Sequence, residues 1–183
     1  MKTIGVFCSS SQQVAPMFLS DSEKFGRELG LSGFKVLYGG SIDGPMGSFA
    51  DGVISSGAPL IGVIPEMDFM TGIVHPKLSE KIMVETLAAR KTEMILRSDA
   101  FVVMPGGIGT LDEVTEVLAL NQVGATKKPV VFYNFLNAWS PLLEAFDLMH
   151  RGGFLYTSPS ELFEVFDKSS DVVQYLQHVF RNS

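Results

Sequence analysis

The chain is poor in the residues that mark several protein classes. It has one cysteine, Cys8, so no internal disulfide can form. Cys8 closes an apparent strand and reads as a buried, inert thiol, with a nucleophile as the alternative. The 3 histidines, His75, His150 and His178, have no His or Cys partner at ligand spacing, so no metal site is expected. Charged residues make up 19% of the chain and the formal charge is −6, which disfavours a general nucleic-acid binder but not a small phosphorylated ligand held at a local site. No apolar run is long enough to span a bilayer. Ile4 to Cys8 is too short for a signal-peptide core, and only Lys2 precedes it. A cytoplasmic protein with no membrane partner is expected. There is no Gly-x-Ser-x-Gly elbow, no Gly-Lys-Ser/Thr to complete a Walker loop, and no full G-x-G-x-x-G.

What is present is a globular composition, 183 residues with 46% hydrophobic, enough for one domain with a sizeable core. Apolar runs read as strands at Thr3–Cys8, Lys35–Tyr38, Leu60–Ile64, Lys81–Val84, Phe101–Met104, Pro129–Tyr133 and Leu162–Phe166. Helical spacing marks Pro16–Leu31, Met46–Ser56, Leu87–Arg97, Thr110–Gln122, Trp139–Met149 and Asp171–Phe180. This alternation predicts an α/β fold: a doubly wound parallel sheet with helices on both faces, in a single domain. Ligands of such sheets bind beyond the carboxyl ends of the strands, where the strand order reverses.

Two glycine-rich turns follow strands, Gly39–Gly47 and Pro105–Gly109. In the second, Gly106, Gly107 and Gly109 permit a sharp turn and close approach to a ligand. The helix start that follows offers free amides and the positive dipole end to a phosphate. A structural reading competes with this one. Thr110-Leu-Asp-Glu113 is also a capping box, in which Thr110 caps the helix and Glu113 reaches back. Upstream, Arg90 and Lys91 follow Ala88-Ala89. Their guanidinium and ammonium groups could hold a phosphate or a carboxylate, or could form a solvated helix face. Glu80 reads by itself as an exposed loop charge. Lys91 and Lys128 could in principle carry pyridoxal phosphate, but nothing near them marks a Schiff-base site.

Arg90-Lys-Thr-Glu-Met94 followed by Pro105-Gly-Gly-Ile-Gly-Thr-Leu-Asp-Glu113 resembles the paired R-K-x-x-M and P-G-G-x-G-T-x-x-E motifs of the Lonely Guy (LOG) family. Val6–Ser10, Tyr38-Gly-Gly40, Met46-Gly47, Gly62–Pro65, Gln122–Gly124 and Gly153–Leu155 also fall in family order, so the likeness covers nearly the whole chain. The resemblance implies a Rossmann-like fold and a homodimer with the site near the subunit interface. It implies phosphoribohydrolase activity on a nucleoside 5′-monophosphate, AMP or an N6-substituted cytokinin relative, with no metal or organic cofactor. Carried over by motif, Arg90 and Glu113 form the catalytic pair. Lys91, Gly106, Gly107, Ile108, Gly109, Thr110, Leu111 and Asp112 form the nucleotide-binding segment, and Glu80 matches a substrate-contacting Glu. The first glycine turn departs from the family's Y-G-G-G-S-x-G-L-M-G at Ser41 and Pro45, and Asp43 adds a negative charge there. Leu87 stands for a Met, and Ala119-Leu120 stand where the family often has Thr-Trp. These changes motivate a second reading, a nucleotide-binding module without hydrolysis. An older label for the family, lysine decarboxylase, is a third.

Overall fold

The computed structural model describes residues 1–181. Seven strands, β1 (Thr3–Phe7), β2 (Lys35–Tyr38), β3 (Leu60–Pro65), β4 (Glu80–Val84), β5 (Ala100–Val103), β6 (Val130–Tyr133) and β7 (Glu164–Phe166), form one sheet in the order β4-β3-β2-β1-β5-β6-β7. Every adjacent pair is parallel. The helices are α1 (Pro16–Leu31), α2 (Gly44–Ser55), α3 (Leu87–Arg97), α4 (Ile108–Gln122), α5 (Ser140–Arg151), the short α6 (Pro159–Leu162) and α7 (Ser169–Arg181). Among the described residues, no helix is long and apolar enough to cross a membrane.

Alternation along the strands divides the core in two. Ile4, Val6, Val36, Tyr38, Val102 and Val131 pack with residues of α1, α2 and α7, including Phe25, Phe49 and Leu176. Phe7, Leu37, Val63, Phe101, Val103 and Phe132 pack with residues of α3, α4 and α5, including Met94, Val117 and Phe146. The central strands are covered on both faces, which is why their sequences are continuous apolar runs. The doubly wound arrangement expected from the sequence is therefore present.

Several boundaries differ from the sequence expectation. α2 begins at Gly44, with Pro45 in its first turn, and not at Met46. Gly44 has φ +56°, and a Cβ there would lie 2.3 Å from the Ser11 carbonyl oxygen, so only glycine lets this helix start against the β1 exit loop. α4 begins at Ile108 rather than Thr110. Leu162 ends the short α6, whose first residue is Pro159, and the final strand is confined to Glu164–Phe166.

The topology puts a crevice in one place. From β1 the chain steps outward through β2 and β3 to β4, then returns through α3 to β5 on the other side of β1. The strand order reverses between β1 and β5, the position where open parallel sheets bind ligands.

Candidate functional site

The loops leaving β1 and β5 meet at this reversal. Met104 N donates to Phe7 O at 2.9 Å, and Met46 N, from the first turn of α2, donates to Ser9 O at 2.9 Å. Three strand exits, those of β1, β2 and β5, are thereby drawn together. They enclose a cavity of about 380 Å³, with Ser9, Ser10 and Ser11 on one side and Gly107, Gly109 and Thr110 on another. Arg90 and Glu113 also line it, and Phe69 and Leu87, both partly exposed, stand at its edge.

The start of α4 supplies backbone donors. Gly107 is the N-cap residue, and the first i→i−4 bond runs from Leu111 N to Gly107 O at 3.0 Å. The amides of Ile108, Gly109 and Thr110 precede that bond and are free for an anion. A Cβ on Gly107 or Gly109 would meet no protein atom within 4 Å, so these glycines leave open space above the amides. Gly106 serves a different purpose, since its Cβ would lie 2.1 Å from Thr110 Oγ1.

The capping-box reading fails here. With α4 starting at Ile108, Thr110 lies inside the helix, and no side chain caps it. Glu113 turns instead toward α3, where its Oε1 accepts a hydrogen bond from Arg90 Nη2 at 2.6 Å. Glu113 is buried, with 4% of the residue exposed. Burial pushes its pKa up from 4.5 to about 7, against the opposing pull of the Arg90 guanidinium. The Arg90 Nε atom is buried and has no partner among the described residues, so one donor remains unused beside the cavity.

Arg90 is placed by its helix. Thr86 caps α3, its Oγ1 accepting from Ala89 N at 3.0 Å, and Met94 and Ile95 anchor the buried side of α3. Gly39, at the exit of β2, leaves the room: a Cβ there would lie 3.3 Å from the Met46 sulfur and 3.6 Å from Arg90 Nη1. Cys8 also lines the cavity, but burial and the nearby Glu113 charge raise its thiol pKa far above neutrality. It is an inert wall, not a nucleophile.

Not every motif residue faces the cavity. Lys91 Nζ pairs with Asp112 Oδ1 at 2.9 Å and Glu116 Oε2 at 2.8 Å, which ties α3 to α4. Leu111 packs into the core below, and Ile108 is 82% exposed. Glu80 is the first residue of β4, opposite Ile61, and its charge acts on Arg97 at the end of α3. At about 3.3 Å per residue it stands about 13 Å from the carboxyl end of its strand, and it does not line the cavity. Lys128 donates its Nζ to the Ile95 carbonyl at the end of α3.

Other lining residues carry weaker sequence signals. Ser9–Ser11 reads only as a polar loop, although its position after β1 marks it once the reversal point is known. Phe69 reaches the site because the β3–β4 loop folds back over the first glycine turn. Ile42 N donates to Ile73 O at 2.8 Å, and His75 N to Gly40 O at 2.8 Å. The buried His75 ring fastens that loop, with Nε2 3.2 Å from Asp51 Oδ1 and Nδ1 accepting from Lys77 N at 3.2 Å.

Residues 46–176, which include Arg90, Glu113 and the whole turn between β5 and α4, match the family described as "Possible lysine decarboxylase". The "Probable cytokinin riboside 5'-monophosphate phosphoribohydrolase LOGL1" of Oryza sativa subsp. japonica is 36% identical over 152 residues, covering 83% of this chain and 68% of the relative. Cytokinin riboside 5'-monophosphate phosphoribohydrolase LOG4 of Arabidopsis thaliana is 33% identical over 174 residues, covering 95% and 81%.

The chain belongs to the LOG family. The fold also extends beyond close relatives. The molybdenum cofactor carrier protein of Chlamydomonas reinhardtii superimposes with a TM-score of 0.76 at 23% identity, over 98% of each chain. That likeness concerns the fold.

Proposed function

We propose that the chain hydrolyses the N-glycosidic bond of a nucleoside 5′-monophosphate, AMP or an N6-substituted relative such as a cytokinin riboside 5′-monophosphate, giving the free base and ribose 5-phosphate. The observation that carries this reading is the buried Glu113 carboxylate, held by Arg90 in a cavity whose wall includes the free amides of α4. The names of the LOG relatives support it.

The chemistry follows from the residue types. Loss of the base leaves positive charge spread over C1′ and the ring oxygen of the ribose. Ionised Glu113 stabilises that charge and takes a proton from the attacking water as its oxygen bonds to C1′. The base leaves with the bond electrons and takes up a proton. Arg90 keeps Glu113 ionised in part and orients it. The amides of Ile108, Gly109 and Thr110 hold the 5′-phosphate. In this reading the whole chain, 1–183, is one nucleotide-binding domain acting in the cytoplasm. It pairs as a homodimer, supported by the exposed apolar residues Leu148, Met149, Phe154 and Tyr156 on and after α5. Decarboxylation through a pyridoxal Schiff base is disfavoured, because no lysine lines the cavity among the described residues and Lys91 is engaged by two carboxylates.

The second reading, binding without turnover, is favoured by the first glycine turn. Ser41 is buried there, and its Oγ accepts from Asp43 N at 3.0 Å, closing the turn on itself. One experiment separates the two. Incubation with AMP, N6-isopentenyl-AMP and adenosine, followed by chromatography of the free base, is expected to show base from the monophosphates and none from adenosine. Saturable nucleotide binding with no base released would support the binding module.

A further inference from the structure

The hydrolase reading uses one of two cavities at the reversal point. The other has a volume of about 320 Å³ and is walled by Val14, Phe18, Pro45, Pro105 and Ala138. Ser9 and Gly107 line both, so the two chambers abut at the N-terminus of α4. Their chemistry differs sharply. The first holds Arg90, Glu113 and several hydroxyls, whereas no charged side chain lines the second. Ser22 lines the second cavity too, but its hydroxyl donates to Phe18 O at 2.6 Å.

The second chamber is rigidly built. Phe18 is held edge-on by Phe135, with ring centroids 5.7 Å apart and planes at 86°. Pro105 lies two residues past the end of β5, and Pro45 sits in the first turn of α2. A preformed apolar chamber with an aromatic wall suits a flat, uncharged ring. Its position matters as much as its lining. Gly107, at the start of α4, lines both chambers, and α/β sheets take dinucleotides across such a crevice with the pyrophosphate at a helix N-terminus.

We propose that the apolar cavity is a subsite for a flat ring joined to the nucleotide through its phosphates, so that the chain binds diphosphate-linked dinucleotides as well as monophosphates. The pyrophosphate lies along Gly106–Thr110, one nucleoside extends toward Glu113, and the second ring rests against Phe18. This rests on the phosphate position assigned under the hydrolase reading, but not on turnover. A monophosphate fills only the first chamber. ADP adds a charge and places nothing in the second.

Calorimetry on the Glu113→Gln protein, with AMP, ADP and diadenosine 5′,5′-diphosphate as ligands, tests it. The dinucleotide is expected to bind at least about tenfold more tightly than ADP, from burial of the second ring. Ala138 is exposed at the rim of the cavity, so Ala138→Trp fills the chamber without disturbing the core. Both Ala138→Trp and Phe18→Ala are expected to bring the dinucleotide down to the affinity of ADP, with a smaller effect on AMP. Equal binding of dinucleotide and ADP, or variants that weaken all three ligands alike, would overturn the proposal. The comparison reads binding alone, so it stands or falls separately from base release.

Discussion

Arg90 and Glu113, 23 residues apart in sequence, meet across α3 and α4 with Nη2 to Oε1 at 2.6 Å, and both are largely withdrawn from water. Removing either partner leaves a buried charge without compensation, which typically costs about 3–5 kcal/mol unless the survivor is neutralised. Arg90→Ala is therefore expected to lower the melting temperature. It should also raise the pKa of Glu113 beyond about 7, since the guanidinium is its main counterweight. Thermal denaturation and a pH–rate profile check both effects. An unshifted profile would show that the pair is not coupled as described.

The raised pKa of Glu113 makes a prediction for the wild-type pH–rate profile. If the ionised carboxylate is the working form, kcat/KM rises with pH through about 7 and then levels. The substrate phosphate titrates near pH 6, so its contribution lies below that limb. A profile that falls over the same range would assign the working role to the protonated acid.

Stability responds in the opposite sense. The folded pKa of Glu113, about 7, lies above the ordinary 4.5, so between these values the folded state binds more protons than the unfolded state. Stability from this group is then present at low pH and is lost as pH rises from about 4.5 through about 7, by roughly 3 kcal/mol in all. Glu113→Gln abolishes the titration. Melting curves from about pH 5 to pH 8 should show the variant gaining on the wild type as pH rises through about 7, the gain levelling off about one unit above that. A constant difference across that range would contradict the burial effect.

Gly109 separates binding from folding. A Cβ there meets no protein atom within 4 Å, and the residue lies in the first turn of α4. Gly109→Ala should leave stability unchanged or raise it by about 0.5–1 kcal/mol. The added methyl stands in the space over the amides, so KM for the nucleotide should rise while the melting temperature holds. A variant with both quantities unchanged would place the phosphate elsewhere.

Much of the fold is legible in the sequence. Phe101–Met104 is apolar throughout because β5 is buried on both faces, and glycine turns mark the ends of β2 and β5. The start of α4 is not legible in the same way. Thr110-Leu-Asp-Glu113 has the residues of a capping box, but Glu113 bonds across to another helix, and local capping loses to that tertiary contact. Glu80 illustrates a second limit. It lies ten residues before Arg90 in the chain, yet a strand carries it to the other end of the sheet. Phe69 illustrates a third. It lines the cavity only because backbone bonds fold its loop onto Gly40 and Ile42, and such bonds leave no side-chain pattern to read.

The most direct test of the central claim is product formation from AMP by wild type and by Glu113→Gln. Adenine and ribose 5-phosphate should appear in equal amounts from the wild type. The folded variant should still bind AMP and lose at least about a hundredfold in rate, the usual share of a positioned acid–base group. Turnover by the variant at the wild-type rate, or no adenine from folded wild type, would contradict the assignment of Glu113.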